Sequence, residues 1–105
     1  MKTLGMTAFC SFAAALAVSL AFAAGDATRG KALFDDPDFA GGTAGRSCSS
    51  CHPGAKGAAK GVDKGNLRQT INACIVKALQ GKAIDPASSE MDDIVAYLKS
   101  MKERP

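Results

Sequence analysis

A short motif of two cysteines and a histidine, near the middle of this chain of 105 residues, constrains its fold more than any other feature. Cys48 and Cys51 are separated by two residues, and His52, the only histidine, follows directly. Cys-x-x-Cys-His is the attachment signature of a c-type haem, in which both thiols bind the porphyrin as thioethers and the adjacent imidazole is the proximal iron ligand. The motif therefore predicts one covalently attached haem c, held by Cys48 and Cys51, with His52 as a metal ligand.

Two other uses of such a motif fit the sequence less well. A thioredoxin-like redox pair would lie within a strand-rich βαβ pattern, and the residues around the motif lack that pattern. A structural zinc site needs four ligands, and the chain has no second Cys/His pair to complete the set. Haem attachment is the interpretation that uses all three residues of the motif.

The amino-terminal segment has the pattern of an export signal. A short basic start precedes an apolar run from Leu4 to Phe22, and Ala21-Phe22-Ala23 is the small-x-small sequence that a signal peptidase cuts after. The pattern predicts a cleaved signal peptide over residues 1–23 and a periplasmic monohaem cytochrome c domain over residues 24–105. An uncleaved anchor helix is the alternative, because the apolar run is nearly long enough to cross a bilayer.

The charge of the predicted domain is too small to indicate nucleic-acid binding. The chain has 13 basic and 10 acidic side chains, and only Lys2 of these lies within residues 1–23, so the domain has a net charge of about +2. No membrane span is expected after cleavage. A domain of this size can bury only a small core, so a covalently bound cofactor is expected to contribute to its stability.

Hydrophobic periodicity predicts an all-α fold with three main helices. The first runs from Asp26 to Phe34, and the second runs from Leu67 to Gln80 with Asn66 as its capping residue. The third runs from Ser89, its own predicted cap, to Lys102. Residues 39–65 are rich in Gly, Ser, Ala and Lys, so we expect a loop there, with a turn at the haem-attachment motif.

The second axial ligand of the iron is not given by the motif. The loop from Gly81 to Glu90 contains no methionine, although a loop at that place could supply one. Met91 is the nearest methionine, but it belongs to the apolar stripe of the third helix, where methionine is more often a core residue than a ligand. Met101 lies near the terminus. Lysine is a weaker candidate, because an exposed lysine resists losing its proton; this applies to Lys77 and Lys82.

Cys74 is the remaining candidate for this position. It lies on the apolar face of the second helix, and it is the only thiol left unpaired once Cys10 is removed with the signal peptide. An unpaired cysteine in an oxidising compartment requires an explanation. The alternative is an inert buried cysteine that acts as a small hydrophobic residue.

These features together resemble the class I cytochrome c family across residues 24–105. Gly30 and Phe34 on the first helix, with Ile94 and Tyr97 on the last, are similar to the family's crossing of its N- and C-terminal helices. The resemblance implies a small class I cytochrome c fold, with three main helices packed around one haem. It also implies that the glycine lets the two helix backbones approach and that the aromatic rings pack across the contact.

A more specific resemblance concerns the axial ligand. Residues 71–100 are similar to the haem-covering segment of thiosulfate dehydrogenases, in which the cysteine matching Cys74 is the axial thiolate. With residues 31–39 and 45–57, they are more similar still to small exported monohaem cytochromes with His/Cys ligation, which pair as heterodimers and bind nitric oxide and carbon monoxide. The resemblance implies His52 and Cys74 as the iron ligands, with Met91 as the alternative.

Three functions are compatible with these observations. The first is a low-potential His/Cys haem protein that binds NO or CO when reduced and pairs with a second small cytochrome or another copy of itself. The second is an ordinary periplasmic electron carrier that uses Met91 and a redox partner protein. The third is a haem subunit of a sulfur-oxidising enzyme, although one haem motif does not suffice for thiosulfate oxidation by this chain alone. Apart from the iron, no catalytic constellation is present, so an enzyme is not expected.

Overall fold

The computed structural model describes residues 25–104 and shows helices, turns and loops, with no strand in this part of the chain. The predicted all-α class is confirmed. The predicted signal peptide and its cleavage site after Ala23 lie outside the described residues. Within residues 25–104, no helix has the length and apolar character needed to cross a membrane.

Four α-helices follow one another along the chain: α1 (Ala27–Phe34), α2 (Cys48–Cys51), α3 (Leu67–Lys77) and α4 (Ser89–Lys102). The loops contain three short 3₁₀ turns, at Phe39–Gly41, Pro53–Ala55 and Ala59–Gly61. The three longer helices, α1, α3 and α4, correspond to the three predicted helices. The single turn of α2 lies at the position where a turn was expected in the loop.

Helix α1 crosses α4 at a glycine. A Cβ atom at Gly30 would overlap the backbone oxygen of Asp93 and would lie 2.9 Å from the Cβ of Tyr97. Only glycine allows the two backbones to approach so closely. Next to this contact, the rings of Phe34 and Tyr97 pack with their centroids 5.3 Å apart and their planes inclined by 60°. The predicted contact between Gly30 and the last helix near Tyr97 is confirmed.

A buried carboxylate joins the same crossing. The Asp93 side chain, which is 8% exposed, accepts hydrogen bonds from the Asp26 backbone N–H at 2.8 Å and from Arg29 Nε at 3.3 Å. Asp26 caps α1 by accepting the Arg29 N–H at 3.0 Å, and this bond lowers the pKa of the Asp26 carboxyl. The start of α1 is therefore fastened to the middle of α4 by polar contacts as well as by packing.

The core is built mainly on α4. Its fully or nearly fully buried apolar residues are Met91, Ile94, Val95, Tyr97 and Leu98. Ile71 and Ile75 of α3, with Leu79 just beyond it, pack against them, as do Phe34 and Phe39. The predicted apolar stripe of α4 is confirmed, except that Met101 is only partly buried. On the second helix Ile71, Ile75 and Leu79 are buried as predicted, but Cys74 is exposed, so it is not a buried hydrophobic residue of the core.

The end of α3 differs from its prediction. The helix ends at Lys77 rather than Gln80, because the N–H of Leu79 donates to the carbonyl of Cys74, five residues earlier instead of four. Gln80 then takes a left-handed conformation with φ of 56°. The regular helical pattern of the sequence continues through these residues, so periodicity alone could not locate the change in backbone direction.

Asn66 is the N-cap residue of α3 as predicted, but neither predicted side-chain cap is formed. The side chain of Asn66 makes no capping hydrogen bond, and the residue instead accepts the Thr70 N–H on its backbone oxygen. Helix α4 is capped by Ser88 rather than Ser89, because Ser88 Oγ accepts the N–H of Met91 at 3.2 Å. Two adjacent serines give the same sequence signal, and only backbone geometry distinguishes them.

Candidate functional site

One face of the molecule contains a cavity of about 530 Å³. This volume lies within the range of small-molecule and cofactor pockets, about 300–1,000 Å³. Residues from α1, from α3 and its C-terminal extension, and from α4 form an apolar wall that includes Phe34, Leu67, Ile71, Leu79, Ile94 and Leu98. The cavity is therefore continuous with the core rather than a separate surface depression.

The two motif cysteines line this cavity from a single helical turn. Cys48 and Cys51 are the first and last residues of α2, so their spacing of three places both thiols on the same side of the helix. At the start of α2, Ser50 Oγ accepts the N–H of Ser47 at 3.0 Å. At its end, the N–H of His52 donates to the Cys48 carbonyl at 3.0 Å. These local bonds fix the spacing of the two thiols.

The environments of the two thiols differ. Burial raises the pKa of Cys48 to about 11, and the nearby Cys74 thiol adds to this increase. The Cys48 thiol is therefore neutral at neutral pH. Cys51 is exposed. The electrostatic influence of Cys74 on Cys48 is consistent with both residues lining one cavity.

The ring of His52 is held by one hydrogen bond next to the cavity. His52 Nδ1 lies 2.9 Å from the backbone oxygen of Lys56. Because a carbonyl oxygen only accepts hydrogen bonds, Nδ1 carries the ring proton, and the lone pair of the neutral ring is on Nε2. Metal-ligating histidines usually have this arrangement, with the second ring nitrogen bonded to a carbonyl or carboxylate. His52 thus presents a donor nitrogen suited to a metal.

A tight turn brings the Lys56 carbonyl to the imidazole. In the turn Pro53–Ala55, the N–H of Ala55 donates to the His52 carbonyl at 2.9 Å. Gly54 and Ala55 both have positive φ values, 59° and 63°, and Ala55 is fully buried. A Cβ at Gly57 would lie 3.4 Å from His52 Nδ1. The residues after the motif therefore form a close support behind the ring.

Helix α3 forms another wall of the cavity. Leu67, Thr70, Ile71 and Cys74 line it at the spacing of three and four residues that places side chains on one helix face. Cys74 is exposed, and no cysteine among the described residues forms a disulfide. The cavity therefore brings together all the residues of the predicted haem site: Cys48, Cys51, His52 and Cys74.

The other candidate ligands lie away from the cavity. Met91 is completely buried in the core and is not among the residues that line the cavity. Met101 packs partly buried against the core, and Lys77 and Lys82 are exposed; none of the three lines the cavity. Of the residues considered as iron ligands, only His52 and Cys74 do so.

Several polar residues of the cavity were not predicted from the sequence. Lys60, Lys64, Asn66 and Thr70 line it. Neither lysine forms an ion pair with another described residue. The only sequence pattern that could have indicated the two lysines is the regular spacing of lysines within residues 56–64. A charged loop is usually a solvated surface, so this pattern did not predict a site.

Comparisons of the chain with protein-family models, with curated proteins and with solved structures find no match. The chemistry of the cavity therefore follows from its own residues. No group of three or more His, Cys, Asp or Glu side chains within residues 25–104 is arranged to hold a metal ion. A haem requires only two protein donors, because the porphyrin nitrogens supply the rest.

The residues of the cavity fit a haem c in three respects. The volume and the apolar walls suit a large, flat, hydrophobic group. Two thiols lie on one helical turn, as two thioether links to one porphyrin edge require. The imidazole of His52 follows directly, and the bond between its Nδ1 and the Lys56 carbonyl fixes the orientation of the ring and leaves Nε2 available.

Proposed function

We propose that this chain is an exported monohaem c-type cytochrome, attached to its haem through Cys48 and Cys51, with His52 and Cys74 as axial ligands. The proposal is carried by one observation. His52, with its Nδ1 bonded to the Lys56 carbonyl, lines the same 530 Å³ cavity as the three thiols of the described chain. When bound, the haem iron supplies one-electron redox chemistry and, in its reduced state, a position for small gases such as NO and CO.

The role of His52 is to hold one side of the site rigid. The hydrogen bond from Nδ1 to the Lys56 carbonyl fixes the tautomer, so Nε2 is the nitrogen that can bind iron. The same bond increases the basicity of the ring. The buried Ala55 and the close approach of Gly57 limit the movement of the imidazole. We infer that His52 stays in place whatever the oxidation state.

The role of Cys74 is to supply an anionic donor. A thiolate stabilises ferric iron, so a cysteine ligand lowers the reduction potential relative to a neutral methionine thioether. In an apolar cavity a thiolate is costly unless a positive charge lies next to it. Cys74 is therefore expected to hold its position more weakly once the iron is reduced, which gives NO or CO access to the site.

The location of Met91 favours this function over an ordinary His/Met electron carrier. Met91 is fully buried in the core and lies away from the cavity, so it could reach the site only by a rearrangement of α4. The resemblance of residues 31–39, 45–57 and 71–100 to heterodimeric cytochromes supports a second small cytochrome or another copy of the chain as partner. A redox partner protein in the periplasm would supply or accept the electron.

Spectra of the oxidised and reduced protein, with and without carbon monoxide, test the proposal. Cys74→Met replaces an anionic ligand with a neutral one, so we expect a marked rise in the reduction potential and the appearance of a long-wavelength sulfur-to-iron band in the ferric protein. Met91→Leu is a near-isosteric change in the core. It should leave both spectra unchanged and cost less than about 1.5 kcal/mol in the free energy of unfolding.

The reverse pattern would contradict His52/Cys74 ligation. If Met91→Leu abolished a sulfur-to-iron band that the unsubstituted protein shows, and Cys74→Ala left the spectrum intact, the chain would be an ordinary electron carrier. If the reduced parent chain and the reduced Cys74→Met variant both fail to bind carbon monoxide, gas binding is no part of the function and electron transfer remains.

A further inference from the structure

The segment Gly81–Ser88, called the strap below, connects α3 to α4 and is bonded to two side chains of α3. Asn72 Nδ2 donates to the Ile84 carbonyl at 2.8 Å, and Asn72 Oδ1 accepts the Ile84 N–H at 2.8 Å. One turn earlier, Arg68 Nη1 donates to the Pro86 carbonyl at 2.5 Å and to Asp92 Oδ1 at 2.8 Å. The two side chains together fasten the middle and the end of the strap to α3.

The strap and the cavity contact different faces of α3. Leu67, Ile71 and Cys74 line the cavity, whereas Arg68 and Asn72 do not. No residue from 80 to 93 lines the cavity. This range includes the whole strap and Met91. The strap therefore lies on a face of α3 beside the cavity, and its side chains do not reach into the cavity; Ile84 packs against the core instead.

We propose that Asn72 and Arg68 are positioning residues that keep the strap out of the cavity, so that no residue placed in the strap can bind the iron instead of Cys74. By holding the strap on that face of α3, they leave Cys74 as the donor on this wall of the cavity. This inference rests on the proposed haem function. The pair of bonds from Asn72 is the main element, because it fixes both the position and the orientation of one peptide group of the strap.

The physical basis is the cost of releasing the strap. Asn72 and the Ile84 backbone are partly buried, so removal of the amide leaves a backbone donor and a backbone acceptor without their protein partners. The strap also has a third attachment, at its start, where the Lys82 N–H donates to the Ala40 carbonyl at 2.9 Å. Loss of Asn72 should therefore loosen the centre of the strap without detaching its beginning.

Hydrogen exchange of the haem-loaded full chain tests the clamp directly. In Asn72→Ala we expect the Ile84 amide to exchange at least about tenfold faster, as the loss of one to two hydrogen bonds implies. Gln69→Ala is the matched control, because Gln69 lies exposed on the same helix and its side chain makes no hydrogen bond to the strap. Unchanged exchange at Ile84 in Asn72→Ala would overturn the proposal.

A methionine placed in the strap tests whether the clamp controls ligand choice. Ala83 is exposed, so Ala83→Met can be combined with Cys74→Ala to offer a strap sulfur to an iron that has lost its thiolate. With Asn72 present, we expect the ferric spectrum to match that of Cys74→Ala alone. Adding Asn72→Ala should produce the long-wavelength sulfur-to-iron band of a His/Met haem, because the released strap can reach the cavity.

The outcomes separate this inference from the proposed function. If the parent chain carries no covalently attached haem, the proposed function itself is wrong. If haem is attached and the strap methionine gives the sulfur band with Asn72 intact, only the clamp is wrong. A release variant that exchanges faster at Ile84 yet shows no band also contradicts the clamp. Should Asn72→Ala fail to fold, Arg68→Leu provides the release, because it removes the bond to the Pro86 carbonyl without adding a second sulfur.

Discussion

The crossing of α1 with α4 and the segment of residues 42–66 are built in opposite ways. Helix α4 buries six of its fourteen residues, whereas residues 42–66 contribute only two buried ones, Ser47 and Ala55. The crossing is stabilised by contacts between distant parts of the chain. The segment that carries the Cys-x-x-Cys-His motif instead turns its apolar and polar side chains toward the cavity.

The hydrogen bonds of the crossing and of residues 47–62 show the same difference, whereas the start of the segment is bonded to a distant residue, because the N–H groups of Thr43 and Ala44 donate to the Leu79 carbonyl. At the crossing, Asp93 joins Asp26 and Arg29 across 67 and 64 positions of sequence. Between residues 47 and 62 the backbone bonds connect residues three or four apart, as in His52 to Cys48 and Ala55 to His52. Local bonds shape turns but contribute little to long-range stability. The cavity segment should therefore depend on its bound group far more than the crossing does.

The largest effect is expected from removing one thiol of the motif. In the proposed site Cys51→Ala leaves at most one thioether link, through Cys48, so we expect a smaller fraction of chains to retain haem through acid-acetone extraction and the cavity segment to lose its order. Mass spectrometry of the exported parent chain should show one added haem on a polypeptide that begins at Ala24. Denaturing electrophoresis with haem staining compares the parent and the variant.

The matched control is Cys74→Ala, which removes a thiol of the same cavity that makes no covalent link in the proposed site. It should keep the haem through the same extraction. A parent chain that carries no attached haem after correct export would contradict the attachment itself. Retention by Cys51→Ala equal to that of the parent would show that this thiol is not needed for stable attachment.

The next effect concerns the crossing. In Gly30→Val the new side chain meets the Asp93 backbone and the Tyr97 Cβ, so α1 must move away from α4. We expect a loss of roughly 1–3 kcal/mol in the free energy of unfolding, measured by denaturant titration. Gly65→Val is the control, because a Cβ at Gly65 meets no atom within 4 Å. Equal losses in the two variants would contradict a specific close contact at Gly30.

The sequence predicted the crossing better than the surroundings of the cavity, and the reason is physical. Helices with an apolar stripe have a period that short-range patterns reveal, so the presence of α1, α3 and α4 was predicted correctly, although the end of α3 was not. The approach at Gly30 was implied by the resemblance to class I cytochromes c. The grouping of Cys48, Cys51, His52 and Cys74 at one cavity agrees with the expected site. Whether Met91 lies at the cavity could not be judged from its position in the apolar stripe, because a methionine of the core and a methionine ligand can occur at the same helical spacing.

Contacts that end on the backbone of a distant residue escaped prediction. The bonds of Asn72 to Ile84 and of Asp93 to Asp26 depend on where two segments meet in space, and the side chains themselves carry no periodic signal. The Lys56 carbonyl behind His52 is a similar case, because any residue type can supply a backbone oxygen. Such polar contacts fix the details that hydrophobic patterns leave open.

A smaller effect should come from the buried carboxylate of the crossing. Asp93→Ala removes the acceptor of the Asp26 N–H and of Arg29 Nε, and we expect a loss of about 1–3 kcal/mol in the free energy of unfolding. Asp93→Asn keeps an oxygen for the Asp26 N–H but loses the charge next to Arg29, so its loss should be smaller. Thermal or denaturant unfolding distinguishes the two variants, and a larger loss in Asp93→Asn would contradict this role.

The smallest effect is expected where α3 ends, between the two regions, and it should stabilise the protein. Gln80 is exposed and has φ of 56°, a conformation that costs little only for glycine. Gln80→Gly relieves a cost of about 1–2 kcal/mol for the left-handed residue, and the greater freedom of the unfolded chain offsets about 0.4–1 kcal/mol of this gain, so the free energy of unfolding should rise by about 1 kcal/mol or less. The same substitution at Gln69, inside α3, should lower it by about 1 kcal/mol. Denaturant titration of both variants measures the two signs, and a loss of stability at Gln80 would mean that this residue does not occupy the left-handed conformation in solution.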